Sequence, residues 1–170
     1  MLGLLFSLIV MQRLAELILA RSNKKWMLAN GGVEYETGHY PLFIVLHTLF
    51  FLAIIYEWQV STIHIEWIFP VALILFLCLQ VIRVWCIVSL GRRWNTRIIV
   101  IPNDTLVSKG PYKYVKHPNY LTVLLELFII PLMFHAYITA IIFPLLHLLV
   151  LAVRIPAEER ALHGSSENYS

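Results

Sequence analysis

Residues 67–90 read WIFPVALILFLCLQVIRVWCIVSL, and Arg83 is the one charged side chain among them. A run this long and this apolar is typical of a transmembrane helix, which needs about 20 mostly apolar residues. Because open sheet edges cannot be left in lipid, the expected spanning structure is an α-helix. Four more apolar stretches lie around it, and the five predicted spans are Leu2–Ala20, Pro41–Tyr56, Trp67–Leu90, Tyr120–Phe134 and Tyr137–Val153.

The composition of the whole chain predicts an all-α, polytopic integral membrane protein. Its 170 residues are 59% hydrophobic and 14% charged, whereas soluble domains carry about 25% charged residues. A soluble fold could not hold so much apolar surface without exposing large sticky patches. We predict one membrane domain over residues 1–170, with three spans in residues 1–90 and a catalytic half in residues 91–170. The last two spans are predicted to form a helical hairpin.

The basic residues are concentrated in alternate loops of this arrangement. Eleven of the thirteen Lys and Arg residues follow span one, span three or span five, and the loops after spans two and four hold none. The positive-inside rule then places the protein in the cell membrane with its N-terminus outside and its C-terminus in the cytoplasm. This orientation explains the net charge of +3, so nucleic acid is not an expected partner.

Two polar islands flank the predicted hairpin. The first island reads KGPYKYVKHPNY over residues 109–120, and the second reads RIPAEER over residues 154–160. The charge pattern places both islands on the cytoplasmic side, next to lipid. We therefore predict a polar pocket at the membrane surface, built against a lipid-facing wall.

The first island contains the signal for a helix start. Proline is favoured in the first turn of a helix, so Pro118 predicts that a helix begins there with His117 near its cap. His117 and Tyr120 are three residues apart and would share a face. The N–H groups of such a helix start favour an anionic group, for example a carboxylate. The spacing alone equally allows these two side chains to be simple interfacial anchors.

The second island places Arg154 and Glu158 four residues apart, on one helical face, with Glu159 about 100° further around. The simplest alternative is an ion pair on a solvated helix end. Arg154 directly adjoins the apolar run, however, and an ionisable group at that position is a functional hypothesis by default. Pro156 is predicted to kink or restart the helix.

Taken together, the two islands resemble the isoprenylcysteine carboxyl methyltransferase family over roughly residues 90–162. The residues that carry the resemblance are Gly110, Pro111, Tyr112, Tyr114, His117, Pro118, Tyr120, Arg154, Ile155, Glu158, Glu159 and Leu162. The resemblance implies a membrane enzyme with S-adenosylmethionine as methyl donor. It implies cofactor binding by His117 and Tyr120, with Gly110, Tyr112 and Glu158 in the same pocket. It also places Arg154, Glu158 and Glu159 next to the methyl acceptor, as catalytic residues.

The N-terminal half, with Glu34-Tyr35 and His39-Tyr40-Pro41, resembles small bacterial members of the family. Some of these members are associated with polyketide synthases and methylate long-chain alkylpyrones. The resemblance thus implies a lipophilic acceptor, with an alkylpyrone or related polyketide first and a prenylcysteine carboxylate second. An interpretation of another class is a non-enzymatic transporter or assembly factor, in which Arg83 and Glu126 would mark a pathway.

No metal site is expected from the remaining polar residues. Glu159 and His163 are four apart, but no second ligand pair has matching spacing. His135 and His147 are single histidines, which we expect to be hydrogen-bonded within the helix bundle.

Three further features are interpreted as structural. Cys78 and Cys86 lie in one apolar run and are expected to be small buried side chains. The segment RRWNTR over residues 92–97 is expected at the membrane surface, with a place at the acceptor entrance as the alternative. Residues 98–101, IIVI, are expected either to be extended or to dip into the interface.

Overall fold

A computed structural model describes residues 2–35, 38, 40–102, 104–105 and 107–167, without the side chains of residues 163–167. The α-helices in this part of the chain are α1 (Leu2–Ala29), α2 (Tyr40–Val60), α3 (Ile68–Leu90), α4 (Pro118–Leu132) and α5 (Tyr137–Glu167). Two short strands, β1 (Val33–Glu34) and β2 (Ile99–Val100), pair antiparallel. Short 3-10 helices cover Gly91–Arg93 and Gly110–Lys113. The prediction of an all-α membrane fold is confirmed.

The helices differ in their capacity to cross a bilayer. Helices α1, α2, α3 and α5 are each long and apolar enough to span a membrane. Helix α4 has 15 residues, which gives it a length of about 22 Å, less than the roughly 30 Å of a hydrocarbon core. It is bounded by Pro118 at its start and by the tight turn at residues 133–136 before α5. Helix α4 is thus the short member of the predicted hairpin.

Two helices extend further than their apolar runs predicted. Helix α1 continues beyond Ala20 to Ala29, and α5 continues beyond Val153 to Glu167. The prediction that Pro156 restarts the helix is wrong, because α5 is one element through this residue. A proline removes one backbone hydrogen bond from a helix, and the turns after it are held by the buried side chains of Ala157 and Ala161.

The chain packs as two compact units, and the first lies within residues 1–38, 90–106 and 155–170. In it, Val33 of β1 pairs with Val100 of β2. Ile98 and Val100 pack in a core with Ala157 and Ala161 of α5. The extended alternative for residues 98–101 is therefore confirmed. The side chain of Asn23 donates to the carbonyl of Trp94 at 2.7 Å, which fixes the RRWNTR segment to α1.

The second unit lies within residues 39–89 and 107–154. Its core contains aromatic pairs, such as Phe50 against Phe143 with ring centres 5.5 Å apart. Glu57, near the end of α2, accepts hydrogen bonds from the N–H groups of Ile138 and Thr139 at 2.7 and 2.9 Å and from the Thr139 hydroxyl at 2.8 Å. This carboxylate therefore caps the start of α5.

A buried ion pair joins α3 to α4 within the second unit. Arg83 donates to a carboxylate oxygen of Glu126 at 2.8 Å, and Gln80 donates to the other oxygen at 2.8 Å. The side chains of Arg83 and Glu126 are 8% and 3% exposed. This ion pair explains Arg83 as an internal link between two helices.

The two cysteines of α3 differ in environment. Cys86 is buried, as expected, but Cys78 is exposed, so the prediction for Cys78 is wrong. A spacing of eight residues turns the helix by about 800°, which leaves the two side chains roughly 80° apart. Cys78 therefore lies on the outward surface of α3, among apolar side chains suited to lipid.

Candidate active site

The start of α4 is built as its sequence predicted. His117 is the N-cap residue and Pro118 occupies the first turn. The rings of His117 and Tyr120 stack with their centres 5.5 Å apart and an interplanar angle of 27°. The predicted common face is therefore confirmed, and the two stacked rings form an aromatic surface at the start of α4.

Arg154 of α5 lies against this aromatic surface in the second unit. Its Nε–H donates to the Tyr120 hydroxyl at 2.7 Å. The guanidinium carbon lies 4.8 Å from the ring centre of Phe43 and 5.7 Å from that of Tyr120. Arg154 is only 4% exposed. The guanidinium is therefore held by the Tyr120 hydroxyl and lies over the Phe43 ring at a distance that favours cation–π attraction.

Gly110 and Tyr112 have close contacts with α3. Gly110 has φ +57, and a Cβ atom there would lie 2.0 Å from the Ser89 hydroxyl oxygen and 2.9 Å from Trp85 Nε1. Glycine is required at this position both for the positive φ and for the close approach. Tyr112 lies near the thiol of Cys86 in α3. These contacts give both residues a structural role, and their cofactor role stays a prediction.

Glu158 and Glu159 belong to the first unit, and both are partly buried. Glu158 lines an open cavity of about 80 Å³. Its lining consists of Leu90, Arg93, Asn95, Arg97, Ile98, Ile99, Val100, Glu158 and Leu162.

Three ion pairs, formed by two carboxylates, fix the charged residues around this cavity. Glu34 accepts hydrogen bonds from Lys24 and Arg97, both at 2.5 Å. Burial alone would raise the pKa of Glu34, but its hydrogen bonds and ion pairs with Lys24 and Arg97 lower the pKa below the ordinary value. Arg93 binds both carboxylate oxygens of Asp104 at 2.6 and 2.7 Å, and this contact lowers the pKa of Asp104. Much of the basic character of residues 92–97 is thus neutralised locally.

His147 and its neighbours were missed by sequence reasoning. His147 is 1% exposed, and neither ring nitrogen has a hydrogen-bond partner within the described part of the chain. The prediction that it is hydrogen-bonded is therefore wrong. Leaving such a polar group unsatisfied costs about 1–3 kcal/mol. Its ring packs against those of Phe43 and His47, with centres 5.8 and 6.1 Å away. The sequence did contain one signal: His147 lies seven residues before Arg154, nearly two helical turns, so the two residues share a helix face.

The structure thus brings together three of the predicted residues, His117, Tyr120 and Arg154, and adds Phe43 and His147 to them. The metal prediction concerning Glu159 and His163 stays untested, because the His163 side chain lies outside the described residues. The same holds for His39 in the N-terminal motif.

Comparison with known proteins relates most of the chain to other sequences. The sequence profile of the isoprenylcysteine carboxyl methyltransferase (ICMT) family matches residues 72–164, more than half of the chain. An uncharacterized protein of Bacillus subtilis (strain 168), YpbQ, is 42% identical over 167 residues, which cover 98% of this chain and 99% of the relative.

A more distant relative, an uncharacterized protein of Haemophilus influenzae (strain ATCC 51907 / DSM 11121 / KW20 / Rd), is 28% identical over 158 residues, which cover 92% of each chain. No solved structure matches the chain significantly. The family profile covers both polar islands, all of α4, and α5 as far as residue 164. The chain is therefore a member of the isoprenylcysteine carboxyl methyltransferase family, a family of membrane methyltransferases.

Proposed function

We propose that this protein is an integral membrane O-methyltransferase that uses S-adenosylmethionine to methylate an acidic oxygen of a lipophilic acceptor. The observation that carries the proposal is the buried guanidinium of Arg154, which Tyr120 and Phe43 hold in one orientation. A fixed cation in an apolar wall suits an anionic head group on a lipid-like tail.

The residues at the start of α4 fit the proposed methyl donor. The N–H groups of the helix start are donors for a carboxylate, and the stacked rings of His117 and Tyr120 offer an apolar surface to a purine or a sulfonium. When bound, S-adenosylmethionine supplies a methyl group that is already activated by the positive charge on sulfur. His117 and Tyr120 would hold it, as the family resemblance implies.

Arg154 would bind and orient the anionic acceptor. A planar guanidinium can donate two parallel hydrogen bonds to a carboxylate or an enolate, which fixes the direction of the oxygen. The Tyr120 hydroxyl accepts the Nε–H and so sets the plane of that guanidinium. An acceptor that is already ionised needs no general base. The enzyme's contribution is then alignment of the two reactants and exclusion of water.

Glu158 and Glu159 are proposed partners in the same reaction, on the strength of the family pattern. Glu158 is partly buried and lines a cavity rich in polar side chains, which suits a carboxylate that accepts hydrogen bonds from an ammonium group. Glu159, the next residue, is proposed to lie on the acceptor side. The proposal treats residues 1–170 as one catalytic domain.

The acceptor is proposed to be a long-chain alkylpyrone or related polyketide, with a prenylcysteine carboxylate as the second candidate. Both present an ionised oxygen on a long apolar chain, and the resemblance of the N-terminal half to small bacterial members favours the pyrone. The tail would enter from the bilayer. The distribution of Lys and Arg supports a cytoplasmic site, with the N-terminus outside.

Calorimetric titration of the purified protein with S-adenosylmethionine tests the proposal. Wild-type protein should bind the cofactor, and His117→Ala should weaken binding about tenfold, which corresponds to the loss of one good contact. Lys116→Ala is the matched control, since Lys116 is exposed, and it should bind as the wild type does. Absence of binding to well-folded wild-type protein would contradict the proposal.

A further inference from the structure

His147 is a polar side chain buried in an otherwise largely apolar wall of the second unit. It is 1% exposed, and its Nδ1 and Nε2 atoms make no hydrogen bond to any residue that the structure describes. Buried polar atoms nearly always have a partner, so an exception calls for an explanation. A neutral imidazole carries one donor and one acceptor. Its ring can therefore form hydrogen bonds with a molecule that enters this wall.

The neighbours of His147 connect it to Arg154. The ring of Phe43 lies 5.8 Å from the His147 ring centre and 4.8 Å from the guanidinium carbon of Arg154, so one aromatic ring adjoins both groups. On α5 the two residues share a face, about 10 Å apart along the axis. His47 packs edge-on against His147, and its own Nδ1 lies 2.8 Å from the carbonyl oxygen of Phe43.

We propose that His147 is a specificity-determining residue that hydrogen-bonds a second, neutral oxygen of the acceptor. This inference rests on the proposed function, in which Arg154 holds the ionised oxygen that receives the methyl group. The acceptor is then a flat head group with two separate oxygens, such as a cyclic enol with a ring carbonyl, rather than a simple carboxylate.

Equilibrium binding of two radiolabelled probes, without any methyl donor, tests this role. The probes are a 4-hydroxy-2-pyrone with a long saturated chain and a fatty acid of the same chain length, both anionic at pH 8. Full-length wild-type protein in lipid nanodiscs should prefer the pyrone by about tenfold, the value of one hydrogen bond. His147→Phe should abolish this preference and leave the affinity for the fatty acid unchanged. His147→Gln, which keeps hydrogen-bonding groups, should retain part of the preference.

The controls separate this role from stability and from catalysis. His135→Phe, in the turn that precedes α5, should leave the preference intact. Thermal unfolding should show that His147→Phe is folded, since it removes an unsatisfied polar group. No preference in wild-type protein, or an unchanged preference in His147→Phe, would overturn the role of His147, even if methyl transfer occurs. The expected binding pattern together with a complete absence of methyl transfer would support this role and overturn the proposed function.

Discussion

The Nε–H group of Arg154 donates to the hydroxyl of Tyr120 at 2.7 Å. This bond joins the two polar islands of the sequence, one at the start of α4 and the other within α5. The tyrosine ring also stacks on His117. Tyr120 thus contacts both Arg154, which is proposed to hold the acceptor, and His117, which is proposed to hold the methyl donor.

Substitution of Tyr120 by phenylalanine should affect acceptor binding and leave donor binding intact. Tyr120→Phe keeps the ring that stacks on His117 but removes the hydroxyl that accepts the hydrogen bond from Arg154. A hydrogen bond to a charged group is worth about 1.5–3 kcal/mol. We expect kcat/KM for the acceptor to fall by about 10- to 100-fold, with an unchanged Kd for S-adenosylmethionine. Initial rates and calorimetry measure the two quantities.

Tyr114→Phe is the matched control for this substitution. Tyr114 is 76% exposed, so loss of its hydroxyl should change neither constant. A Tyr120→Phe variant with wild-type kcat/KM would show that the hydrogen bond to Arg154 does not position the acceptor.

The buried ion pair between Arg83 and Glu126 should control stability. Removal of one partner leaves an uncompensated buried charge, which costs about 3–5 kcal/mol. We expect both Arg83→Met and Glu126→Leu to lower the free energy of unfolding by this amount in detergent. The double variant should be less destabilised than the sum of the two single variants, because it leaves neither charge behind. Strict additivity of the two effects would show that the pair is not coupled.

The carboxylate of Glu57 should stabilise the start of α5. It accepts three hydrogen bonds, two from backbone N–H groups and one from the Thr139 hydroxyl. Loss of a helix cap costs about 0.5–2 kcal/mol, and the charge at the helix start adds to this effect. We expect Glu57→Ala to lower the unfolding temperature, whereas Glu66→Ala, at an exposed position, should not. Equal unfolding temperatures for the two variants would contradict the capping role.

The ion pairs of Glu34 should make stability depend on pH in acid. The contacts with Lys24 and Arg97 lower the pKa of Glu34 below its ordinary value of 4.5. The contribution of these pairs is therefore complete above that value and is lost as the pH falls through the lowered pKa. As the pH falls through this acidic range, the Glu34→Gln variant should lose less stability than the wild-type protein. Thermal unfolding at a series of pH values measures the difference. The exposed Glu66→Gln should behave as the wild type, and parallel curves for all three proteins would contradict the prediction.

The sequence predicted the helices well because a helix that crosses lipid needs a long run of apolar residues. Apolar runs of sufficient length located α2 and α3, and Pro118 located the start of α4. The ends of α1 and α5 were placed too early, because both helices continue into polar segments that belong to the first unit. Hydropathy carries no signal for such extensions, and Pro156 suggested an interruption that does not occur.

The candidate site was predicted in part, for a similar reason. Helical spacing paired His117 with Tyr120, but no spacing rule could connect Tyr120 to Arg154, which lies 34 residues later. Phe43 is one apolar residue among many in α2, so its place beside the guanidinium depends on tertiary packing. His147 carried a detectable spacing to Arg154, yet its lack of a hydrogen-bond partner is a property of the folded bundle alone.

Transfer of a radiolabelled methyl group from S-adenosylmethionine tests the central claim most directly. Purified protein in nanodiscs is incubated with a long-chain 4-hydroxy-2-pyrone, and labelled product is extracted into organic solvent. We predict a labelled methyl ether from wild-type protein and a reduction of kcat/KM by at least about 100-fold in Arg154→Gln, as expected when a buried charged contact is lost. The exposed Arg160→Gln should stay within about twofold of wild type, the range of most surface substitutions. Equal activity of Arg154→Gln and wild type, or no methyl transfer by folded wild-type protein to this pyrone or to a prenylcysteine, would contradict the account.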